Sequence, residues 1–126
     1  MAILDIVVYP DDPLTRVAAP YASVTPEVSR LAEDMLETME NYAGVGLAGP
    51  QVGVSKRILV LREPEGEPMC LVNPEISETE GCEEGEEGCL SLPEVFASVP
   101  RATRIRVRAL DETGHKLDFE ARDFLA

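Results

Sequence analysis

The chain has no tryptophan, a single histidine, and fewer than half as many cations as anions: 11 Lys and Arg against 24 Asp and Glu in 126 residues. A formal charge of -13 argues against direct nucleic-acid or anionic-lipid binding, because both recognise clustered Lys and Arg. No apolar run reaches the roughly 20 residues that span a bilayer. Met1–Pro10 also lacks the basic start of a signal peptide, so the expected location is cytoplasmic, without membrane contact. Three cysteines, Cys70, Cys82 and Cys89, cannot all pair within one chain, and reduced thiols follow. The lack of a C-x-x-C knuckle or an EF-hand spacing argues against a self-contained structural zinc or calcium site. A mononuclear catalytic metal usually takes three protein ligands, and one histidine falls short of a ligand set built on imidazole.

With 44% hydrophobic residues, residues 1–126 suffice for one compact domain with a modest core. Met1–Ser23 carries Asp11-Asp12-Pro13 and Ala19-Pro20 and reads as irregular wrapping, with a short extended piece around Ile6–Tyr9. Thr25-Pro26-Glu27 supplies a capping hydroxyl, a proline for the first helical position and an acid for the helix dipole. Apolar Val28, Leu31, Ala32, Met35, Leu36 and Met39 follow at spacings of three and four. This predicts an amphipathic helix from about Pro26 to near Tyr42. Beyond the glycines the period shortens. Arg57–Arg62, Met69–Val72, Ile76–Gly81 and Thr103–Leu110 read as strands, and Asp111–His115 as the turn of a hairpin with Lys116–Ala121. The acid-rich Glu75–Glu87 reads as a solvated loop or edge strand. Arg104, Arg106 and Arg108 alternate with Ile105, Val107 and Ala109, which predicts a solvated face backed by an apolar one. The fold class is therefore α+β, antiparallel sheet packed around one long helix.

Two stretches carry chemistry. In Gly44-Val45-Gly46-Leu47-Ala48-Gly49-Pro50-Gln51, glycines let a ligand lie against bare backbone, and Gln51 offers an amide donor to an oxygen that gains charge. A glycine cluster after a helix is also often just its C-terminus and a turn. In Glu87-Gly88-Cys89-Leu90-Ser91-Leu92-Pro93, Cys89 can bind a metal or attack a carbonyl as its thiolate. A single cysteine is more often a small buried apolar residue, which is how Cys70 reads within Met69-Cys70-Leu71-Val72. His115 reads as a solvated turn residue, so it makes no dyad with Cys89.

Together these motifs resemble those of the peptide deformylase family. The first is similar to its Gly-x-Gly-x-Ala-Ala-Pro-Gln, with Gly49 in place of the second Ala; the second matches its Glu-Gly-Cys-Leu-Ser. The similarity continues through Pro10-Asp11 and Leu14, Leu71-Val72-Asn73-Pro74, Val99-Pro100-Arg101 and Arg108-Ala109-Leu110-Asp111. The resemblance implies removal of formate from N-formylmethionyl nascent peptides by a metal-bound hydroxide. Cys89 is then a ligand to a divalent metal, Fe²⁺ in the family and replaceable by Ni²⁺, Co²⁺ or Zn²⁺. Gln51 and the Leu90 backbone N–H hold the formyl oxyanion, Gly46 backbone pairs with the extended substrate, and Glu87 bridges to Arg101 to aim Cys89.

The family's remaining ligands and its general base lie on a His-Glu-x-x-His helix, and no such segment occurs before Ala126. In family order, Asp123-Phe124-Leu125-Ala126 matches the opening of that helix. The expectation is a C-terminally truncated, inactive deformylase-like domain that holds metal weakly and self-associates through an uncovered sheet face. The alternatives are a non-catalytic module binding extended peptides by strand addition, or one half of a split enzyme.

Overall fold

A computed structural model of the chain describes residues 3–8, 14, 17–62 and 66–122, with only the backbone of Glu94 and Val95. Pro10, Asp11 and the Asp123–Ala126 turn lie outside the described residues. Helix α1 spans Pro26–Asn41. The Thr25 hydroxyl makes no capping bond, contrary to expectation. The helix start rests instead on Pro26, whose fixed φ suits the first turn, and on the acid of Glu27. Val28, Ala32, Met35, Thr38 and Met39 form the buried face. Thr38 is satisfied there: its Oγ1 donates to the Asp34 carbonyl at 2.7 Å and accepts from the Leu4 N–H at 2.8 Å, tying the first residues to the helix. The helix stops at Ala43, whose φ of 53° breaks the helical run, and Gly44 N–H turns back to the Met39 carbonyl at 2.9 Å.

Seven strands follow: β1 Gly46–Ala48, β2 Ile58–Leu61, β3 Met69–Glu80, β4 Glu83–Cys89, β5 Leu92–Arg101, β6 Arg104–Leu110 and β7 Lys116–Arg122. Five of them form an antiparallel sheet in the order β1-β2-β3-β6-β7, and β4 pairs with β5. The period of two in β2 splits its side chains between two cores. Ile58 and Val60, with Leu47, Cys70 and Val72, meet Val28, Ala32, Met35 and Met39 of the helix. Leu59 and Leu61 turn to the other face, against Leu71, Ile105, Val107, Ala109 and Ala121. Fully burying one such aliphatic side chain contributes about 1.5–3 kcal/mol, so the sheet is held from both sides.

Met69–Val72 and Ile76–Gly81, expected as separate strands, are one strand of 12 residues. Asn73-Pro74 reads as a break because proline cannot donate to a ladder. Here it sits in a register shift between Val72 and Glu75, with Asn73 at φ 52°. Such a bulge admits a proline and bends the strand without ending it. Of the two readings of the acid-rich segment, loop or edge strand, the strand holds: it is the exposed outer half of β3, a short connection at Gly81-Cys82, and β4, an edge strand of the two-stranded sheet.

The arginine face of β6 is spent on its neighbours. Arg104 pairs with Glu80 at 2.6 Å and Glu120 at 3.0 Å, and Arg106 pairs with Asp118 at 2.8 Å. At the N-terminal side, Ala19 bridges to Lys56, and Val7 N–H donates to the Gln51 carbonyl at 2.6 Å. This is the expected wrapping; residues 3–8 form no strand, and Tyr9 lies outside the described residues.

Candidate functional site

The first motif runs from the end of α1 into edge strand β1 and then a 3-10 turn, Gly49–Val52. Pro50 favours the turn, and Gly53 closes it in the left-handed region at φ 84°. Gly49 has no room for a side chain. A Cβ there would lie 2.8 Å from the Val54 carbonyl oxygen, 2.9 Å from that of Lys56 and 2.9 Å from Ile58 Cγ2. The alanine of the family motif is thus replaced where the 54–58 segment presses closest. The turn places Gln51, whose Oε1 accepts the Ala48 N–H at 3.0 Å. That bond fixes which end of the amide carries the nitrogen.

The second motif is a hairpin end. Cys89 is the last residue of β4, Leu90-Ser91 is the connection, and β5 begins at Leu92. Gly88 faces Phe96 across the hairpin, where a Cβ would meet the ring at 2.7 Å. Arg101 reaches back along the hairpin to grip Glu87 with two bonds, Nε to Oε2 at 3.0 Å and Nη2 to Oε1 at 2.7 Å. These paired N–H groups hold the Glu87 carboxyl below the usual carboxylate range.

Two contacts bring the motifs together. The Leu90 side chain packs into the helix-side core beside Gly44, where an added Cβ would sit 3.3 Å from Leu90 Cδ1. Gln51 Nε2 lies 3.4 Å from Cys89 Sγ and 3.3 Å from Ser91 Oγ. Cys89 is exposed while Ser91 is buried. Of the residues singled out in the sequence, Gln51 and Cys89 therefore meet, Leu90 follows Cys89 and packs toward Gly44, Glu87 and Arg101 brace the same hairpin, and Gly46 lies on β1. His115 sits in the exposed β6–β7 turn with its Nδ1 2.6 Å from Thr113 Oγ1 and makes no contact with this group. Ser91, part of the second motif but given no role there, is the neighbour whose contact sequence reasoning missed; a serine beside a cysteine carries no spacing signal of its own.

The donors on hand do not fit a catalytic metal by themselves. Among the described residues no three of His, Cys, Asp and Glu lie close enough to hold one, whereas a mononuclear catalytic site takes three protein ligands. The Cys89 sulfur is a single donor atom. Among the described residues no helix is long and apolar enough to cross a membrane.

The site is therefore a glycine-lined edge strand and a braced hairpin, joined where the Gln51 amide meets Cys89 and Ser91. The family model for polypeptide deformylase matches residues 3–126. The peptide deformylase of Alkalilimnicola ehrlichii is 51% identical over the whole chain, which spans 72% of that protein. That of Nitrosococcus oceani is 47% identical, with 77% of its length spanned by the whole chain. A crystal structure of peptide deformylase from Ehrlichia chaffeensis in complex with actinonin superposes with a TM-score of 0.96 at 38% identity, over 99% of this chain and 78% of that one. The chain belongs to the polypeptide deformylase family, and its fold is the deformylase fold.

Proposed function

We propose that this chain carries the substrate-orienting side of a deformylase site acting on the formyl amide of N-formylmethionyl nascent peptides. In that reaction one water is consumed, the formyl C–N bond breaks, formate leaves, and the peptide keeps a free amino group. The observation that carries the reading is the placement of Gln51 Nε2 3.4 Å from Cys89 Sγ, at the end of a strand edge open to an extended peptide. Family membership supports it.

In this reading the peptide lies along β1, where Gly46 offers backbone without a side chain. The formyl oxygen is received between a Gln51 Nε2–H and the Leu90 N–H, donors fixed before charge develops on that oxygen. Glu87 and Arg101 keep the Cys89 turn aimed. Cys89 is the chain's ligand to the family's divalent metal, and further ligands of the kind a His-Glu-x-x-His helix provides are required. A nascent-chain substrate puts this work in the cytoplasm.

The test titrates a formyl-Met tripeptide and its unformylated counterpart into the chain and into Gln51→Ala. The formylated peptide binds more tightly, and Gln51→Ala removes about tenfold of that preference. A chain extended past Ala126 by a His-Glu-x-x-His helix and loaded with Ni²⁺ releases formate. Equal binding of the two peptides by the unaltered chain overturns the reading. Formyl-selective binding without formate release from the extended chain favours a peptide-binding module instead.

A further inference from the structure

Among the described residues two polar side chains are buried, Thr38 and Ser91. A buried hydroxyl is costly unless it is paired. Thr38 is accounted for by Asp34 and Leu4. Ser91, 3% exposed, has its hydroxyl against Gln51.

The Gln51 amide is held at both ends. Its Oε1 accepts from Ala48 N–H at 3.0 Å, so the nitrogen end faces the hairpin. That nitrogen has two hydrogens and two acceptors, Ser91 Oγ at 3.3 Å and Cys89 Sγ at 3.4 Å. The two acceptors are unequal. A hydroxyl oxygen takes an N–H well, and sulfur takes one weakly.

We infer that Ser91 is the positioning residue for Gln51: its buried hydroxyl holds one Nε2–H, so that the second points into the space before Cys89. The second hydrogen is the one free to move, because leaving sulfur for an oxygen that gains charge is favourable. Without Ser91 the amide keeps its anchor at Ala48 but can swing about the side-chain torsions, and the donor is no longer fixed before the reaction. The use made of that donor rests on the formyl-oxygen role proposed for Gln51; the arrangement itself does not.

The experiment reads the side-chain amide of Gln51 by ¹⁵N NMR in the full 126-residue chain, in Ser91→Ala, and in the isosteric pair Ser91→Thr and Ser91→Val. Backbone spectra report whether each variant folds. The two Nε2 protons are well separated in the unaltered chain and in Ser91→Thr, and their separation falls at least twofold in Ser91→Ala and Ser91→Val. Because Thr and Val share a shape, the contrast survives any packing change at the buried site. An unaltered Gln51 signal in Ser91→Ala, or equal loss in folded Thr and Val variants, overturns the inference. The same samples are titrated with the formyl-Met tripeptide. Ser91→Ala weakens it about tenfold and leaves the unformylated peptide unchanged. A chain that ignores the formyl group defeats the functional reading, while the amide signal still decides the role of Ser91.

Discussion

Asn73 grips the backbone of Tyr21 with both ends of its side-chain amide. Its Oδ1 accepts the Tyr21 N–H at 2.7 Å and its Nδ2 donates to the Tyr21 carbonyl at 2.8 Å. The side chain thereby acts as one more rung of sheet, fastening the N-terminal wrapping to the bulge in β3. Asn73→Ala loses both bonds, at about 1 kcal/mol each, and strains a residue at φ 52° that asparagine tolerates. The expected loss is about 2–3 kcal/mol in urea unfolding. Asn73→Gly keeps the backbone angle and falls between the two.

Arg101 separates bracing from stability. Its pair with Glu87 is exposed on the Arg101 side and half-exposed on the other, so Arg101→Ala changes unfolding free energy by less than about 1 kcal/mol. Its effect falls on the turn that presents Cys89. In a chain extended by a His-Glu-x-x-His helix, where Cys89 would have partner ligands, Co²⁺ affinity followed through the thiolate charge-transfer band drops roughly tenfold or more in Arg101→Ala, the scale of losses when a ligand's outer support is removed. A large stability loss with unchanged Co²⁺ affinity would show the pair to be structural only.

The three thiols divide by exposure. Cys82 and Cys89 are exposed; Cys70 is buried, and its thiol is pushed up to about 12 by that burial and by the nearby acids Glu112 and Asp111. Because the thiolate is the reactive form, iodoacetamide at pH 8 modifies two cysteines of the native chain quickly and Cys70 only on unfolding. Mass spectrometry of digested peptides reads this directly. Zn²⁺ in excess slows labelling of Cys89 more than that of Cys82.

Acid weakens the charge ladder around Arg104. Arg104 holds Glu80 below the usual carboxylate range, and Arg122 and Arg104 do so for Glu120. A carboxyl lowered on folding contributes its stability above the unfolded value, about 4.3 for glutamate, and loses it as pH falls through the folded value. Protonating the unpaired acids works in the opposite direction, since it relieves repulsion in a chain of charge -13. The measurement is therefore a difference. The stability gap between the chain and Arg104→Gln is complete above about pH 5, shrinks below the glutamate range, and closes once both carboxyls are protonated.

The elements that announce themselves in sequence are those whose packing is periodic. Helix α1 starts at Pro26 as the Thr25-Pro26-Glu27 signal says and runs as its apolar spacing says, and β2, β6 and β7 fall within a residue of their expected bounds. What escaped was structure built against propensity. Strands β1 and β5 hold Gly46, Pro93 and Pro100, and the pairing of β5 with the acid-rich β4, read only as a loop or edge strand, comes from cross-strand contacts such as Gly88 with Phe96, far apart in pattern. The site shows the same division. Gln51 and Cys89 were legible through their motifs, but their meeting depends on the turn at Gly49 and the hairpin connection at Leu90-Ser91. No local period encodes that meeting, and so Ser91 stood in the motif without a role.

The long strand β3 divides at its bulge into a buried half and an exposed half, from which two exchange lifetimes are expected. Cys70, Leu71 and Val72 are buried between the two cores, while Glu75 through Glu80 are exposed beyond the bulge at Asn73. Amides in the inner half exchange with solvent only when the core comes apart, and those in the outer half exchange through small, frequent openings. One continuous stretch of chain is released in two steps, and the bulge marks the boundary between them.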